Sequence, residues 1–219
     1  MKKFGLRFHH LGLATDNFNL TLKVLKKLKY KVKSIKTNKH FNVKNAICTS
    51  SYMPNIEIVS KTKNKSPIDK IIKKNKQLVY HICYISRNIS QTLKLFKKHQ
   101  IHIIKVSDSY LSPFEGITSS FFFIRGIGLV EIMDESQKKE INKKLVLIFR
   151  KNLRLNKSFN SKKILKLKLG SDIDSLSLIS IVAEINQKFK VKFSADQISK
   201  IRSTSDIFKF VFKFFKINA

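Results

Sequence analysis

The chain has 219 residues, 45 Lys and Arg against 14 Asp and Glu, a formal net charge of +31 and 42% apolar residues. That length holds one large domain or two small ones, the composition is globular, and no run approaches the ~18 uninterrupted apolar residues of a membrane span. Only six basic residues are Arg, and the Lys are scattered beside Asn, Ile and Phe, which reads as AT-rich coding bias rather than as a specific nucleic-acid partner.

The basic start, Met1-Lys2-Lys3-Phe4-Gly5-Leu6-Arg7, is not followed by an apolar core of ~7–15 residues, so a secretory signal is not expected and the cytoplasm is the default. Residues 8–14 alternate like a strand, and Asn17 is placed to cap a helix carrying Leu22, Leu25 and Leu28. Strand-like runs follow at 31–37, 45–50 and 55–60. The pattern then begins again. His81 and Asn88 stand where His10 and Asn17 stood, and the register holds without a gap from His10 to Tyr30 against His81 to Ile101. The second copy has a strand at 79–85, a helix carrying Leu93 and Phe96, and strands at 101–107, 119–125 and 129–133. Each copy is therefore a βαβββ unit, at about 7–61 and 78–134, within a domain at 1–135.

The last strand of each copy carries one acid between apolar neighbours, Glu57 in the first and Glu131 in the second. With His10 and His81 on the two first strands they form a His2Glu2 set, one pair from each copy. A lone His or Glu on a strand is usually a surface or satisfied core group, but four at matching positions of a repeat point to a metal site. Imidazole and carboxylate suit one divalent ion: cobalt, manganese, nickel, iron or zinc. Strand alternation turns His9 to the opposite face from His10, and His40, His99 and His102 have no counterpart in the other copy. Cys48 and Cys83 are too few for a disulfide framework or a Cys-based zinc site.

Phe8-His9-His10-Leu11-Gly12-Leu13-Ala14, Asn55-Ile56-Glu57-Ile58-Val59, Val79-Tyr80-His81-Ile82-Cys83-Tyr84 and Gly128-Leu129-Val130-Glu131-Ile132 resemble the vicinal oxygen chelate superfamily. Methylmalonyl-CoA epimerases are the most similar members and glyoxalase I is more distant. The resemblance implies an α+β fold of paired βαβββ modules around one divalent metal held by His10, Glu57, His81 and Glu131. It also implies a substrate that chelates the metal through two neighbouring oxygens and loses a proton to form an enolate. Epimerases often have Gln where Glu57 stands, and Glu is the glyoxalase-like choice. Residues 42–49 offer no clear second carboxylate, since Lys44 and Asn45 occupy that strand, so Glu131, or a residue not yet assigned, is expected to move the proton. An acyl-CoA or acyl-carrier thioester is the expected substrate, and a Lys-rich rim would attract its phosphates. Two other readings are a glyoxalase I-like lyase and a non-catalytic small-molecule binding or resistance protein. Family members complete the cup within one chain or across a homodimer.

Residues 138–219 have a different pattern: helical periodicity at 139–152, a polar loop at 156–163, a second helix opening at Ser175, a short turn at Ser194 and a Phe-rich last helix from Thr204. That order describes a small four-helix bundle. Leu169-Gly170-Ser171-Asp172-Ile173-Asp174-Ser175-Leu176 resembles the attachment motif of acyl carrier proteins, which implies 4′-phosphopantetheine on Ser175, added by a phosphopantetheinyl transferase. A helix N-terminus suits a phosphate, although Asp and Ser cap helices everywhere. Leu176, Leu178, Ile179 and Val182 are expected on the buried face of this helix. Carrier proteins usually have an acidic second helix, whereas this one offers only Glu184.

Overall fold

The computed structural model describes residues 1–39, 41–62, 65–112, 117–156 and 159–215. The chain divides into two compact units, Met1–Ser136 and Gln137–Ala219.

The first unit follows the repeat. Strand β1 (Leu6–Thr15) leads into helix α1 (Phe18–Lys27) and strands β2 (Lys31–Asn38), β3 (Val43–Thr49) and β4 (Ile56–Lys61). After helix α2 (Asp69–Asn75) the second copy runs through β5 (Gln77–Ser86), α3 (Ile89–Lys98), β6 (Ile103–Lys105), β7 (Tyr110–Leu111), β8 (Thr118–Ile124) and β9 (Gly128–Asp134). Two details depart from the sequence reading. Helix α2 bridges the copies, and the expected strand at 101–107 shrinks to three residues, with two-residue β7 pairing β8 beside it.

One mixed sheet holds all nine strands, ordered β2-β3-β4-β1-β5-β9-β8-β6 with β7 on β8. The two halves mirror each other: β1 is parallel to β4, β5 is parallel to β9, and β1 joins β5 antiparallel. The repeat extends to the hydrogen bonds. Asn17 Oδ1 accepts from Leu20 N and Asn88 Oδ1 from Gln91 N, each at 3.0 Å, so both helices start on the same cap. Thr15 and Thr21 hydroxyls meet at 2.9 Å, as do Ser86 and Thr92. On one face of the sheet α1 packs its Phe18 and Leu25 with Cys48 and Ile58, and α3 packs its Phe96 with Phe122, Val130 and Ile132. These two apolar layers fix the helices and leave the opposite face free for chemistry.

In the second unit, α4 (Ser136–Asn152, which begins in the first unit), α6 (Ser175–Phe189) and α8 (Thr204–Phe214) are the longer helices, with α5 (Ser161–Ile164) and α7 (Ala195–Ser199) as short turns. Among the described residues the unit is thus a small helical bundle of three longer helices and two short turns. Phe149 stacks on Phe208 with ring centroids 5.6 Å apart. Along α6 the buried stripe is Leu178, Ile181, Val182, Ile185 and Phe189. Leu176 (75% exposed) and Ile179 (62%) face solvent instead, correcting their expected burial. The reason is helical phase: they lie three residues apart on a second stripe, beside Ser175, while Ile181 takes the inward place.

Among the described residues, no helix is long and apolar enough to cross a membrane.

Candidate metal centre

His10 and His81, 71 residues apart in sequence, project from the antiparallel join of β1 and β5, and their Nε2 atoms stand 3.2 Å apart. Glu57 enters from β4 and Glu131 from β9, the strands flanking that join. Glu57 Oε2 lies 3.2 Å from His10 Nε2 and 3.8 Å from His81 Nε2; Glu131 Oε2 lies 3.5 and 3.4 Å from the same two nitrogens. One donor atom from each residue thus falls within 4.8 Å of all the others, and all four residues are buried. A second grouping, His9, His10 and Cys83, shares His10 but brings no carboxylate.

These donors fit a divalent ion. Ligand atoms held about 2.0–2.2 Å from one centre stand about 3.0 Å apart at adjacent octahedral positions and about 3.5 Å apart in a tetrahedron. The donor separations of 3.2–3.8 Å lie within that range or slightly beyond it. Two buried carboxylates and two imidazole nitrogens turned toward one point also call for a cation between them.

The outer carboxylate oxygens are tied down in both copies. Asn45 Nδ2 donates to Glu57 Oε1 at 2.7 Å, and Ser119 Oγ donates to Glu131 Oε1 at 2.6 Å, an oxygen that also accepts from the Tyr110 hydroxyl. Asn45 and Ser119 are repeat equivalents: Ile47 faces Glu57 across β3–β4, Phe121 faces Glu131 across β8–β9, and each donor sits two residues before that facing residue. Each acid is therefore left with one oxygen directed at the centre. Burial alone would raise the Glu131 carboxyl, but its hydrogen bond to His81, the charges of His10 and His81 and the Ser119 hydroxyl outweigh burial and hold it well below the usual carboxylate range. Burial and the adjacent Glu131 push the Tyr110 phenol far above its ordinary value, which keeps it a proton donor.

The sequence reading placed the four acids and imidazoles but missed their supports. Tyr110 sits on two-residue β7, too short to show periodicity. Strict strand alternation would turn His9 away from His10. A register shift between Phe8 and His10 breaks the alternation, so His9 lines the cavity and its Nδ1 lies 2.7 Å from His10 Nδ1. His99 packs edge-on against Phe4, and His40 lies outside the described residues. Gly12 pairs with His81 across the join, and a Cβ there would lie 2.0 Å from His81 Cε1. Only a residue without a side chain lets that ring lie over the strand. Lys44 is exposed with its Nζ over the Phe18 ring, on the opposite face from Asn45.

A cavity of about 240 Å³ opens onto His10, Glu57 and Glu131, with His81 buried behind them. Its walls are mainly apolar, with Phe41, Val43, Val59, Ile68, Phe121 and Met133 among them.

Residues 9–121, about half of the chain, match the model of the Glyoxalase/Bleomycin resistance protein/Dioxygenase superfamily. The chain belongs to that superfamily. Residues 167–211 match the phosphopantetheine attachment site model, a stretch that contains Ser175. Among solved structures, a hypothetical protein from Bacillus halodurans C-125 aligns at 21% identity and a TM-score of 0.50, covering 59% of this chain and 94% of its own. Methylmalonyl-CoA epimerase from Mycobacterium tuberculosis aligns at 13% identity and a TM-score of 0.50, covering 61% of this chain and 91% of its own. No curated protein matches the chain. This superfamily member therefore carries a carrier-type segment after its paired modules.

In that segment the cap and the candidate attachment residue are different side chains. Asp174 Oδ1 accepts from Ser177 N at 2.7 Å and its Oδ2 accepts from Ser177 Oγ at 3.1 Å, so Asp174 caps α6. The Ser177 amide and hydroxyl hold the Asp174 carboxyl below its ordinary value. Ser175 is exposed at the first helical position.

Proposed function

We propose that the chain is a metal-dependent epimerase or isomerase of 2-substituted acyl thioesters, with the acyl group carried on phosphopantetheine at Ser175. The observation that carries this reading is the convergence of one donor atom each from His10, Glu57, His81 and Glu131, three of which line an apolar cavity. In this reading His10 and His81 hold the ion through Nε2 and Glu57 and Glu131 hold it through Oε2. When bound, a divalent cation supplies a Lewis acid for the negative charge that develops on the thioester oxygen. Asn45, Ser119 and Tyr110 keep the two carboxylates oriented while the substrate changes charge. The apolar walls exclude water from the α-carbon. Glu131 then takes the α-proton as the C–H electron pair moves onto the thioester oxygen, and a proton returned to the planar enolate completes the step. Glu57 and Glu131 are the carboxylates on the described cavity wall, so proton handling falls to them. Carriage on Ser175 would raise the effective substrate concentration to about millimolar without tight binding.

Two measurements test the two parts separately. The metal-loaded protein is expected to catalyse solvent deuterium incorporation at C2 of a 2-substituted acyl thioester. No exchange with any such thioester would remove the enzyme reading in favour of a binding protein. Coexpression with a promiscuous phosphopantetheinyl transferase is expected to add one phosphopantetheine by intact mass, with Ser175→Ala abolishing it. An unmodified wild-type mass would remove the carrier reading.

A further inference from the structure

The chain has 45 Lys and Arg, yet the described residues lining the cavity include neither. The exclusion is built strand by strand and turn by turn. On β3, Val43, Asn45 and Ile47 line the cavity while Lys44 lies on the other side, over Phe18. On α2 and just before it, Ile68 and Ile71 face the cavity while Lys70, Lys73 and Lys74 of the same helix are exposed. The polar groups on the described wall are neutral amides and hydroxyls, namely Asn38, Asn45, Tyr80, Ser107, Tyr110 and Ser112, besides His9 and three of the converging residues, His10, Glu57 and Glu131.

The charges of the centre close without help from a substrate. Two buried carboxylates balance one divalent ion, and two neutral imidazoles add nothing. A substrate bearing a free carboxylate would bring an anion into a buried, apolar site whose described lining holds no remaining counter-charge, whereas enolisation, with its proton passing to Glu131, leaves the charge of the site unchanged. Burying an uncompensated carboxylate is strongly disfavoured. We infer that the cavity takes a neutral, apolar acyl group, a 2-alkyl-3-oxoacyl thioester, in preference to a dicarboxylic half-thioester of the methylmalonyl type. This rests on the thioester-enolising function proposed above and names its substrate class. A 3-oxo group keeps the same O–C–C–C–O spacing between the two chelating oxygens, and its alkyl tail meets Phe41, Ile68 and Ile71 instead of water. The C2–H bond breaks, its proton goes to the Glu131 carboxylate and its electron pair to the carbonyl oxygens. Neither an oxidant nor a co-substrate is consumed. At about 240 Å³ the cavity is smaller than the ~300–1,000 Å³ of drug-sized ligand sites, which suits a short acyl group with the pantetheine arm outside.

The probes are 2-methyl-3-oxohexanoyl-pantetheine and methylmalonyl-pantetheine. Calorimetric titration of the full-length chain should give at least tenfold tighter binding of the oxoacyl probe. Deuterium exchange at C2 above the buffer rate should favour the same probe, and Ile71→Lys, which puts a cation on the half-buried rim, should move the binding ratio at least tenfold toward methylmalonyl. Equal or tighter binding of methylmalonyl-pantetheine together with its faster exchange would overturn the substrate class and leave the enolising function standing. Exchange of neither probe would overturn both.

Discussion

The two halves of the sheet hold the same acid in the same way with different chemistry, and the contrast shows what the repeat constrains. In the first half an amide, Asn45, fixes Glu57; in the second, two hydroxyls, Ser119 and Tyr110, fix Glu131. What is kept is a donor two residues before the position facing the acid, since that is where strand geometry puts a side chain against the outer oxygen. A second contrast lies at the central join. The residue facing His81 is Gly12, and the residue facing His10 is Cys83. One imidazole lies over bare backbone and the other lies beside a buried thiol, so the histidines are equivalent in sequence but not in packing.

The largest effect should separate the two acids. Glu131→Gln is expected to lower exchange by about 10²–10⁴-fold even at saturating metal, because it removes the proton acceptor. Glu57→Gln should mainly weaken metal binding and recover exchange when metal is added in excess. Equal, irrecoverable losses in both variants would erase the functional difference between the halves.

Next is the join. Gly12→Ala should displace the His81 ring and cut metal occupancy at sub-stoichiometric metal, whereas Cys83→Ala should retain it, as elemental analysis after gel filtration would show. Full occupancy in Gly12→Ala would mean that the ring has room elsewhere. The outer supports should matter less. Asn45→Ala and Tyr110→Phe are each expected to weaken metal affinity about 10-fold to 100-fold, the range for groups that orient ligands, measured by competition with a chelating dye. The smaller loss belongs to Tyr110→Phe, since Ser119 still donates to Glu131.

The smallest effect should be symmetric. Asn17→Ala and Asn88→Ala remove matching caps and should each cost about 1 kcal/mol in denaturant unfolding of the first unit. A clear inequality would show that one half is held by contacts the other lacks.

The sequence by itself determined the repeat, the four converging side chains, the helix caps and the carrier-like turn before Ser175. Each is a local pattern at fixed spacing: alternation along a strand, an Asn before a helix, a Ser at a helix start. Only the tertiary structure decided four other things. Tyr110 reaches Glu131 from a strand of two residues, and no period can be read from two residues. His9 turns toward the cavity because the β1–β5 register slips beside it, and a slip is a property of pairing rather than of either strand. Gly12 is fixed by a ring 69 residues away in sequence, since the ring lies over it across the join. The absence of Lys from the described cavity lining follows from which face of β3 and of α2 each side chain takes, although α2 carries Lys70, Lys73 and Lys74 and β3 carries Lys44. Composition counts charges, but the face on which each one lies is set by packing apolar neighbours against the rest of the chain.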